Sequence, residues 1–210
     1  MKNWQKYSSF LGTGDFHVHA DYADGSSSVM EMCGQAEMNG LKLICFSEHV
    51  RRKLSYEYSS LLMDIEKARQ LFPGLVILPG CEAAVRDTRG SLDVSADVLE
   101  KAEIVIASFH DFPYGRAGDF LDALHGALSH PRVDIWGHPE TFLRNVTLDR
   151  SDIEGIIRAC VKRDVLIEDN LSPIHRTPPE FLKLARELGA HVVTNSDAHH
   201  VSDLKRPRQQ

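Results

Sequence analysis

The sequence predicts an α/β protein with a parallel sheet built from about seven strand–helix units. Short β-rich apolar runs alternate with longer amphipathic segments throughout the 210 residues. The strands are near-continuous apolar runs, as expected when both faces of a sheet are covered. Alternation at this spacing favours parallel strands with crossover helices. So many regular units leave two architectures open, a closed barrel or an open doubly wound sheet.

The predicted elements follow one another in a regular order. The strands are predicted at residues 15–20, 41–47, 74–80, 103–109, 133–137, 164–170 and 190–196. The helices are predicted near residues 28–39, 56–72, 94–102, 117–129, 150–163 and 177–189. Glycine ends several helices just before the next strand, as in "AEMNG" before Leu41 and "ARELGA" before His191.

Composition narrows the possible classes of function. A hydrophobic content of 42% is enough for one substantial core, so a single domain over residues 1–210 is expected. The net charge of −6 argues against a broad nucleic-acid interface, which usually needs a basic surface. The four cysteines form no C-x-x-C pair, and we find neither a signal core nor a membrane-length apolar run. A cytoplasmic protein that does not bind membranes is therefore expected.

Six of the 11 histidines fall at or just past the C-terminal end of a predicted strand. They are His17, His19, His49, His110, His138 and His199. Acidic residues occur at the same strand ends, namely Asp15, Asp24, Glu48, Glu82, Asp169 and Asp197. Ligands gather at the carboxyl ends of parallel strands in both open and closed sheets. Histidines with only structural roles would have no reason to prefer one end, so this pattern predicts a shared site.

Imidazole and carboxylate groups without thiolates suit Zn²⁺, Mn²⁺ or iron. A single ion takes three or four protein ligands, so about nine candidates indicate two or three ions and a bridging carboxylate. Two ions about 3.5–4 Å apart can clamp the attacking and leaving oxygens of a phosphate ester. No glycine-rich phosphate-binding motif opens a predicted helix, which removes support for nucleotide-binding α/β folds.

The ordered set of motifs resembles the polymerase and histidinol phosphatase (PHP) family. Its pieces span nearly the whole chain: "DFHVHADYADG", "GLKLICFSEHV", "PGCEA", "DVLEKAEIVIASFH", "DIWGHPE", "IEDN" and "GAHVVTNSDAHH". The stand-alone, histidinol-phosphatase-like branch looks most similar. The resemblance implies a distorted seven-stranded (β/α)7 TIM-like barrel, in one PHP domain over residues 1–210. It also implies a trinuclear metal site at the C-terminal ends of the strands.

The same resemblance implies a ligand set for each ion. The first ion would be held by the paired histidines and two acids, His17, His19, Glu82 and Asp197. The second would share Glu82 as a bridge and add two more histidines, His110 and His138. The third would take His49, His199 and Asp24. Because the family commonly has a histidine where Asp24 stands, a two-ion site is left open.

The expected reaction is hydrolysis of a small-molecule phosphate monoester by a hydroxide that bridges two ions. Glu82 and Asp197 would act at the catalytic centre. The departing alkoxide needs a proton, for which His200 and a metal-bound water are candidates. His200 lies next to His199 in the sequence and could equally be a surface residue.

Substrate binding is expected from basic residues near the cluster. "HVRRKLSY" places Arg51, Arg52 and Lys53 directly after His49, and the guanidinium group suits phosphate. A solvated basic loop is the alternative for each of them. His175, in "NLSPIHR", is a further candidate for contact with the substrate.

Other functions are weighed against this one. They are a phosphodiesterase or exonuclease acting on nucleic-acid ends, a non-catalytic metal-stabilised interaction module, and an amidohydrolase-like C–N hydrolase. A small phosphorylated substrate is the expected partner, and the acidic charge disfavours nucleic acid. A homo-oligomer is left open because few residues follow "SDAHH". The barrel could therefore be open there, sealed by a second subunit, or sealed by the N-terminal "NWQKYSSF" segment.

Overall fold

The protein is represented by a computed structural model that describes residues 1–110, 112–113 and 115–205. The strands are β1 Gly14–Val18, β2 Leu43–Phe46, β3 His49–Val50, β4 Val76–Ala84, β5 Ile104–Ser108, β6 Ile135–Trp136, β7 Leu166–Asn170 and β8 Val192–Asn195. The α-helices are α1 Val29–Asn39, α2 Tyr58–Leu71, α3 Ala96–Lys101, α4 Ala117–Ser129, α5 Pro139–Asn145, α6 Arg150–Arg163 and α7 Pro179–Glu187. Two 3-10 helices cover Asn3–Phe10 and Val201–Asp203.

Seven of the strands form a nearly closed parallel barrel. They are joined in the order β1-β2-β4-β5-β6-β7-β8, and β3 pairs with β4. The segment after β8 meets β1 directly, because the Asp197 N–H donates to the His17 carbonyl at 3.0 Å. The His19 N–H donates in turn to the Ala198 carbonyl at 2.8 Å. The predicted α/β class and TIM-like barrel are therefore confirmed.

β1, β2, β5, β6 and β7 bury both of their faces, which explains the near-continuous apolar runs. On β5, Ile104 and Ile106 belong to the cluster inside the barrel, whereas Val105 and Ala107 pack in the layer shared with the helices. This alternation follows from the two-residue period of a strand. The inner cluster draws on seven strands and contains Trp4, Phe16, Leu43, Cys45, Leu78, Ile104, Ile106, Ile135, Leu166 and Val193.

The 3-10 helix Asn3–Phe10 closes the N-terminal end of the barrel. Trp4 is buried against the inner cluster. Its backbone N–H donates to Asp134 Oδ1 at 3.1 Å, and its indole Nε1–H donates to the Asp164 carbonyl at 2.6 Å. Of the arrangements considered for sealing the barrel, the N-terminal segment thus covers the lower end, while β1 and the residues after β8 meet without an intermediary.

Local signals set the ends of several helices. At the start of α1, Ser28 Oγ accepts a hydrogen bond from the Glu31 N–H, and the Glu31 carboxylate accepts one from the Ser28 N–H. Gly40 ends this helix in the left-handed conformation, with φ of 82°. Among the helices that the structure describes, we find none with the length and apolar character needed to cross a membrane.

Four short elements of the described chain were not predicted from the sequence. They are the 3-10 helices Asn3–Phe10 and Val201–Asp203, β3 and α5. β3 has only two residues and α5 only seven, so neither is long enough to show a repeating pattern. α5 begins with Pro139 at its first position, where proline's missing N–H costs no helical hydrogen bond.

Replacement of Trp4 by alanine should lower the free energy of unfolding by about 3–5 kcal/mol, the usual cost of deleting a large buried aromatic side chain. Trp4→Phe should cost less, because it removes the hydrogen bond to the Asp164 carbonyl but keeps a ring in place. Urea denaturation followed by circular dichroism measures both changes. Met63→Ala is the control, since Met63 is 57% exposed. A Trp4→Ala protein as stable as this control would show that the helix does not seal the barrel.

Candidate metal centre

An irregularity in β1 brings two histidines into the barrel above Phe16. Asp15 pairs with Ile44, but Val18 pairs with Phe46, so β1 carries one residue more than β2 over this stretch. Extra residues of this kind re-aim side chains and are common beside active sites. Phe16 joins the apolar interior, and the rings of His17 and His19 follow it, with their centroids 5.1 Å apart.

The inward-facing positions change from apolar to polar toward the carboxyl ends of the strands. On β4, Leu78, Gly80 and Glu82 alternate along one face, so Glu82 enters the barrel above the apolar layer. Only glycine fits between them, since a Cβ at Gly80 would lie 2.6 Å from Cys45 Sγ. β7 and β8 repeat the change from apolar to polar residues, which gives the barrel a polar upper layer.

The Glu82 carboxylate lies at the centre of this polar layer. It is fully buried and faces five imidazole rings, with the nearest nitrogen atoms 2.8–3.6 Å from its oxygens. Those nitrogens belong to His17, His19, His49, His110 and His138. Oε2 faces the first three rings and Oε1 the last two. The two oxygens thus address different ligand groups, as a carboxylate that bridges two ions must.

Asp197 supplies a second carboxylate to the same space. Its Oδ1 lies 3.5 Å from His19 Nε2 and 3.6 Å from His17 Nε2. Its backbone adopts the left-handed conformation, with φ of 55°. Asp197 is also buried. Together with Glu82 and the paired histidines, it forms a group of four side chains.

Asp24 forms the outer part of the cluster. Its Oδ2 lies 3.2 Å from His49 Nε2, and its Oδ1 lies 3.5 Å from His199 Nε2. The Asp24 side chain is 51% exposed, in contrast to Glu82 and Asp197. This outer group is therefore open to solvent, whereas the inner groups are enclosed.

Several buried polar atoms of the cluster have no hydrogen-bond partner among the described residues. They are both ring nitrogens of His19 and of His138, Nε2 of His17, Oε2 of Glu82 and Oδ1 of Asp197. Buried polar atoms in proteins are nearly always satisfied. Ring nitrogens and carboxylate oxygens that converge without partners are the donor set that divalent ions take, so the residues fit metal.

The possible ligands fall into five overlapping groups within the described chain. In each group the ligand atoms lie within 4.8 Å of one another. One group contains His17, His19 and Glu82. Another contains Glu82, His110 and His138. A third contains His19, Asp24, His49 and His199. These three groups overlap the ligand sets that the resemblance implies, with Glu82 shared between the first two. The other two groups are His17, His138 and Glu168, and His138, His175 and Asp197.

The neighbouring groups of the cluster shift one another's pKa values. Burial opposes ionisation of Glu82, but the surrounding imidazoles, His138 first, hold its pKa well below the usual range. Burial lowers the pKa of His19 to about 4, so this ring is neutral at pH 7. Burial also opposes protonation of His49, but Glu82 and Asp24 outweigh it and raise the pKa of His49 to about 10. The pKa values of Asp24 and Asp197 are lowered too, by neighbouring histidines that outweigh burial, so the three carboxylates are ionised at neutral pH. Their negative charge favours a cation beside them, whether a proton on His49 or a metal ion.

The basic loop after β3 reaches the cluster through Arg51. Arg51 shares a cavity of about 350 Å³ with Asp24, His49 and His110. Its guanidinium group donates to the Val50 carbonyl at 2.9 Å. Among the predicted substrate-binding residues, the exposed Arg52 and Lys53 line none of the described cavities at the cluster.

His175 lines a second cavity, of about 600 Å³, at the mouth of the barrel. Its ring centroid is 4.4 Å from that of His138, and its Nδ1 is 3.2 Å from Glu140 Oε2. His200 is placed differently. It is exposed, and its Nδ1 accepts a hydrogen bond from the Ser202 N–H at 3.2 Å, at the start of the helix Val201–Asp203. This position favours a capping role over the predicted proton donation.

Glu168 also lies in the polar layer, although the sequence did not single it out as a site residue. It is fully buried on β7, and its Oε1 lies 2.7 Å from His17 Nδ1. Burial opposes its ionisation, but His17 outweighs this and lowers the pKa of Glu168 to about 2. The signal was present in the strand period, because Leu166 and Glu168 are two residues apart and share the inward face.

Residues 15–194 match the family described as PHP domain. This chain belongs to that family. The match covers β1 to β8, and so every strand that contributes to the polar layer of this PHP domain.

Named relatives point the same way. A probable phosphatase of Caldicellulosiruptor bescii is 30% identical to this PHP domain over 188 residues, which cover 86% of this chain and 76% of the relative. The DNA polymerase/3'-5' exonuclease PolX of Bacillus subtilis is 30% identical over 201 residues, which cover 91% of this chain but 35% of that protein. The prediction of a metal-dependent phosphoric ester hydrolase is thereby confirmed for the family.

A solved structure shares the fold. Histidinol phosphate phosphatase from Lactococcus lactis, complexed with zinc, L-histidinol and phosphate, superposes with a TM-score of 0.71. The identity is 19%, and the superposition covers 90% of this chain and 87% of that chain. The likeness confirms the barrel of this PHP domain.

Zinc or manganese added to the metal-stripped protein should raise its melting temperature, because an ion that binds only the folded state stabilises it. At a hundredfold excess over the dissociation constant this amounts to about 2.7 kcal/mol. His138→Ala should lose most of the shift. His125→Ala, which removes a histidine on α4 outside the cluster, should keep it. Equal shifts in both variants, measured by scanning calorimetry, would contradict a metal centre at His138.

Proposed function

We propose that this PHP domain hydrolyses a small-molecule phosphate monoester, using two or three divalent ions of zinc, manganese or iron. The observation that carries the proposal is the buried Glu82 carboxylate with imidazole nitrogens around both of its oxygens. A structural role alone would not require five histidines to converge on one carboxylate. The named relatives support the phosphatase activity, and the histidinol complex of the Lactococcus protein is consistent with a small substrate.

Each proposed ion has a ligand set in the structure. We assign the first ion to the buried group His17, His19, Glu82 and Asp197. The second ion is assigned to Glu82, His110 and His138. The third is assigned to the exposed group Asp24, His49 and His199. The first group is buried, the second is partly exposed at His110, and the third contains the half-exposed Asp24. We therefore expect the third ion to bind most weakly.

When bound, such ions supply a nucleophile from water at neutral pH and neutralise the charge of the phosphate oxygens. The protein's own contribution is to position the reactants. Glu82 and Asp197 hold the ligand groups together from below, at the floor of the mouth. His175 forms part of the wall above them, where the organic half of a substrate would leave.

Arg51 is the proposed anchor for the substrate's phosphate. It faces the cavity on the Asp24 side, and its Nε lies 3.9 Å from Asp93 Oδ2, the same distance as Arg86 Nε from this oxygen. Asp93 thus holds two guanidinium groups near the rim. The cavities of about 350 and 600 Å³ that Arg51 and His175 line fall in the size range of sites for small ligands.

A phosphodiesterase or exonuclease is the second candidate, because this chain is similar to part of a polymerase/exonuclease. The net charge of −6 does not favour it, since nucleic-acid binding usually depends on basic surface. A panel of small phosphate monoesters, assayed beside a single-stranded oligonucleotide, separates the two. Release of phosphate from a monoester supports our proposal, whereas turnover of the oligonucleotide alone would replace it.

Glu82→Ala should abolish turnover on whichever monoester is cleaved by the metal-loaded protein. The rate should fall by about a thousandfold, because the variant loses its ions and with them their stabilisation of the transition state, typically several kcal/mol. Metal content, measured by mass spectrometry, should fall in parallel. His125→Ala serves again as the control that keeps both metal and activity. Full activity in the Glu82 variant would refute the bridging role.

Arg51→Ala should raise KM by about tenfold to a hundredfold and change kcat less, because a charge-assisted hydrogen bond to phosphate is worth roughly 1.5–3 kcal/mol. Arg52→Ala is the matched control. It removes the same charge one residue away, from a side chain outside the cavity. If Arg52→Ala raises KM as much as Arg51→Ala, the phosphate does not bind where we place it. Steady-state kinetics on the best monoester decides between the two.

A further inference from the structure

The Glu168 carboxylate belongs to none of the ligand sets assigned above, yet it is surrounded by hydrogen-bond donors. Oε1 lies 2.7 Å from His17 Nδ1 and 2.9 Å from Asn195 Nδ2. Oε2 lies 2.8 Å from the His138 backbone nitrogen and 3.2 Å from Asn170 Nδ2. Both oxygens therefore have two partners each, from four different residues.

The two asparagine side chains can only donate to this carboxylate. Asn195 Oδ1 accepts a hydrogen bond from the Phe16 N–H at 2.9 Å, which turns Asn195 Nδ2 toward Glu168. Asn170 Oδ1 accepts one from the Ser172 N–H at 2.8 Å, which turns its Nδ2 the same way. Since a backbone N–H can never accept, both amide orientations are determined by the main chain.

The proton on the His17 ring follows from this arrangement. Glu168 receives donors on both oxygens and acts as an acceptor only, so His17 Nδ1 must carry the hydrogen that they share. Nε2 is then the nitrogen left to bind a metal ion, and it points at Glu82 Oε2, 3.3 Å away. The second hydrogen bond of an imidazole decides which of its nitrogens is available as a ligand.

Glu168 also holds the backbone of His138. This residue adopts φ of 49°, in the left-handed region that side chains other than glycine rarely enter. Its N–H donates to Glu168 Oε2, while its ring brings Nε2 to 3.1 Å from Glu82 Oε1. The preceding Gly137 lets the chain pass close to β5, since a Cβ there would lie 2.5 Å from Ile106 Cγ2.

We propose that Glu168 is the positioning residue of this centre. It keeps the proton of His17 on Nδ1 and holds the backbone of His138, and so aligns one ligand from each of the two inner groups. The proposal deepens the proposed metal-dependent function and rests on it. It extends no further than zinc binding and ring geometry, which can be measured without a substrate.

The experiment compares zinc binding by the wild-type protein and by Glu168→Gln, using competition with a chromophoric chelator. Glutamine keeps the shape but replaces one acceptor oxygen by an NH₂ group, which would meet donors on either side. His17 can relieve this conflict only by giving up the Nδ1 proton and carrying it on Nε2. We expect zinc to bind about 10- to 100-fold more weakly, the usual effect of losing such a partner.

Asp134→Asn is the matched control. Asp134 is also a buried carboxylate, and it accepts hydrogen bonds from the backbone N–H groups of Trp4 and Val105 at the opposite end of the barrel. The same exchange of oxygen for NH₂ should lower stability there but leave zinc affinity unchanged. Equal weakening of zinc binding in both variants, or an unchanged affinity in Glu168→Gln, would overturn the proposal.

A second measurement does not depend on whether the variant folds. In zinc-loaded wild-type protein labelled with ¹⁵N, the His17 ring should show a directly bonded proton on Nδ1 and none on Nε2. The opposite assignment would overturn the proposal. Absence of phosphatase activity in the same preparation would instead count against the proposed function and leave the positioning role in place.

Discussion

The structure depends on keeping an ionised carboxylate, Glu82, inside a barrel. Burying a charge without partners is strongly unfavourable, and removing one member of a buried charged group leaves the others uncompensated. Here the compensation comes from five imidazoles that no single segment of the chain could supply. They lie on β1 and β3 or directly after β1, β5 and β6, so the barrel must be assembled before Glu82 is stabilised. The site therefore acquires its geometry only when the sheet closes.

The barrel separates stability from chemistry along its axis. Its lower half is filled by apolar side chains and covered by Trp4, while the upper half carries ring nitrogens and carboxylate oxygens that have no hydrogen-bond partner among the described residues. This polar layer offers the ligand groups that cations would take. Both layers use the same inward-facing register of the strands. The packed apolar half of the barrel thus supports the charged residues of the polar half.

The possible ligand side chains become more exposed to solvent from the inside of the barrel to its rim. The side chains of His17 and His138 are buried, that of His110 is partly exposed, and Asp24 at the rim is half exposed and faces the cavity that Arg51 shares. Among the inner residues, His17 and His138 form buried hydrogen bonds with Glu168. The outer ligands face solvent, where an incoming phosphate would arrive. Enclosed groups suit permanent ions, and the open side suits exchange of substrate and product.

The sequence by itself determined the parallel α/β fold and the residues of the cluster. Continuous apolar runs indicate strands that are buried on both faces. The histidines and acidic residues that follow these runs must lie at one rim, because the carboxyl ends of parallel strands are on the same side of the barrel. Only the tertiary structure decided where Glu168, Arg51, His200 and Trp4 lie and what they contact. The hydrogen bond between His17 and Glu168 joins residues 151 positions apart. Such contacts depend on strand register, on the extra residue in β1 and on loop paths, none of which a local pattern encodes.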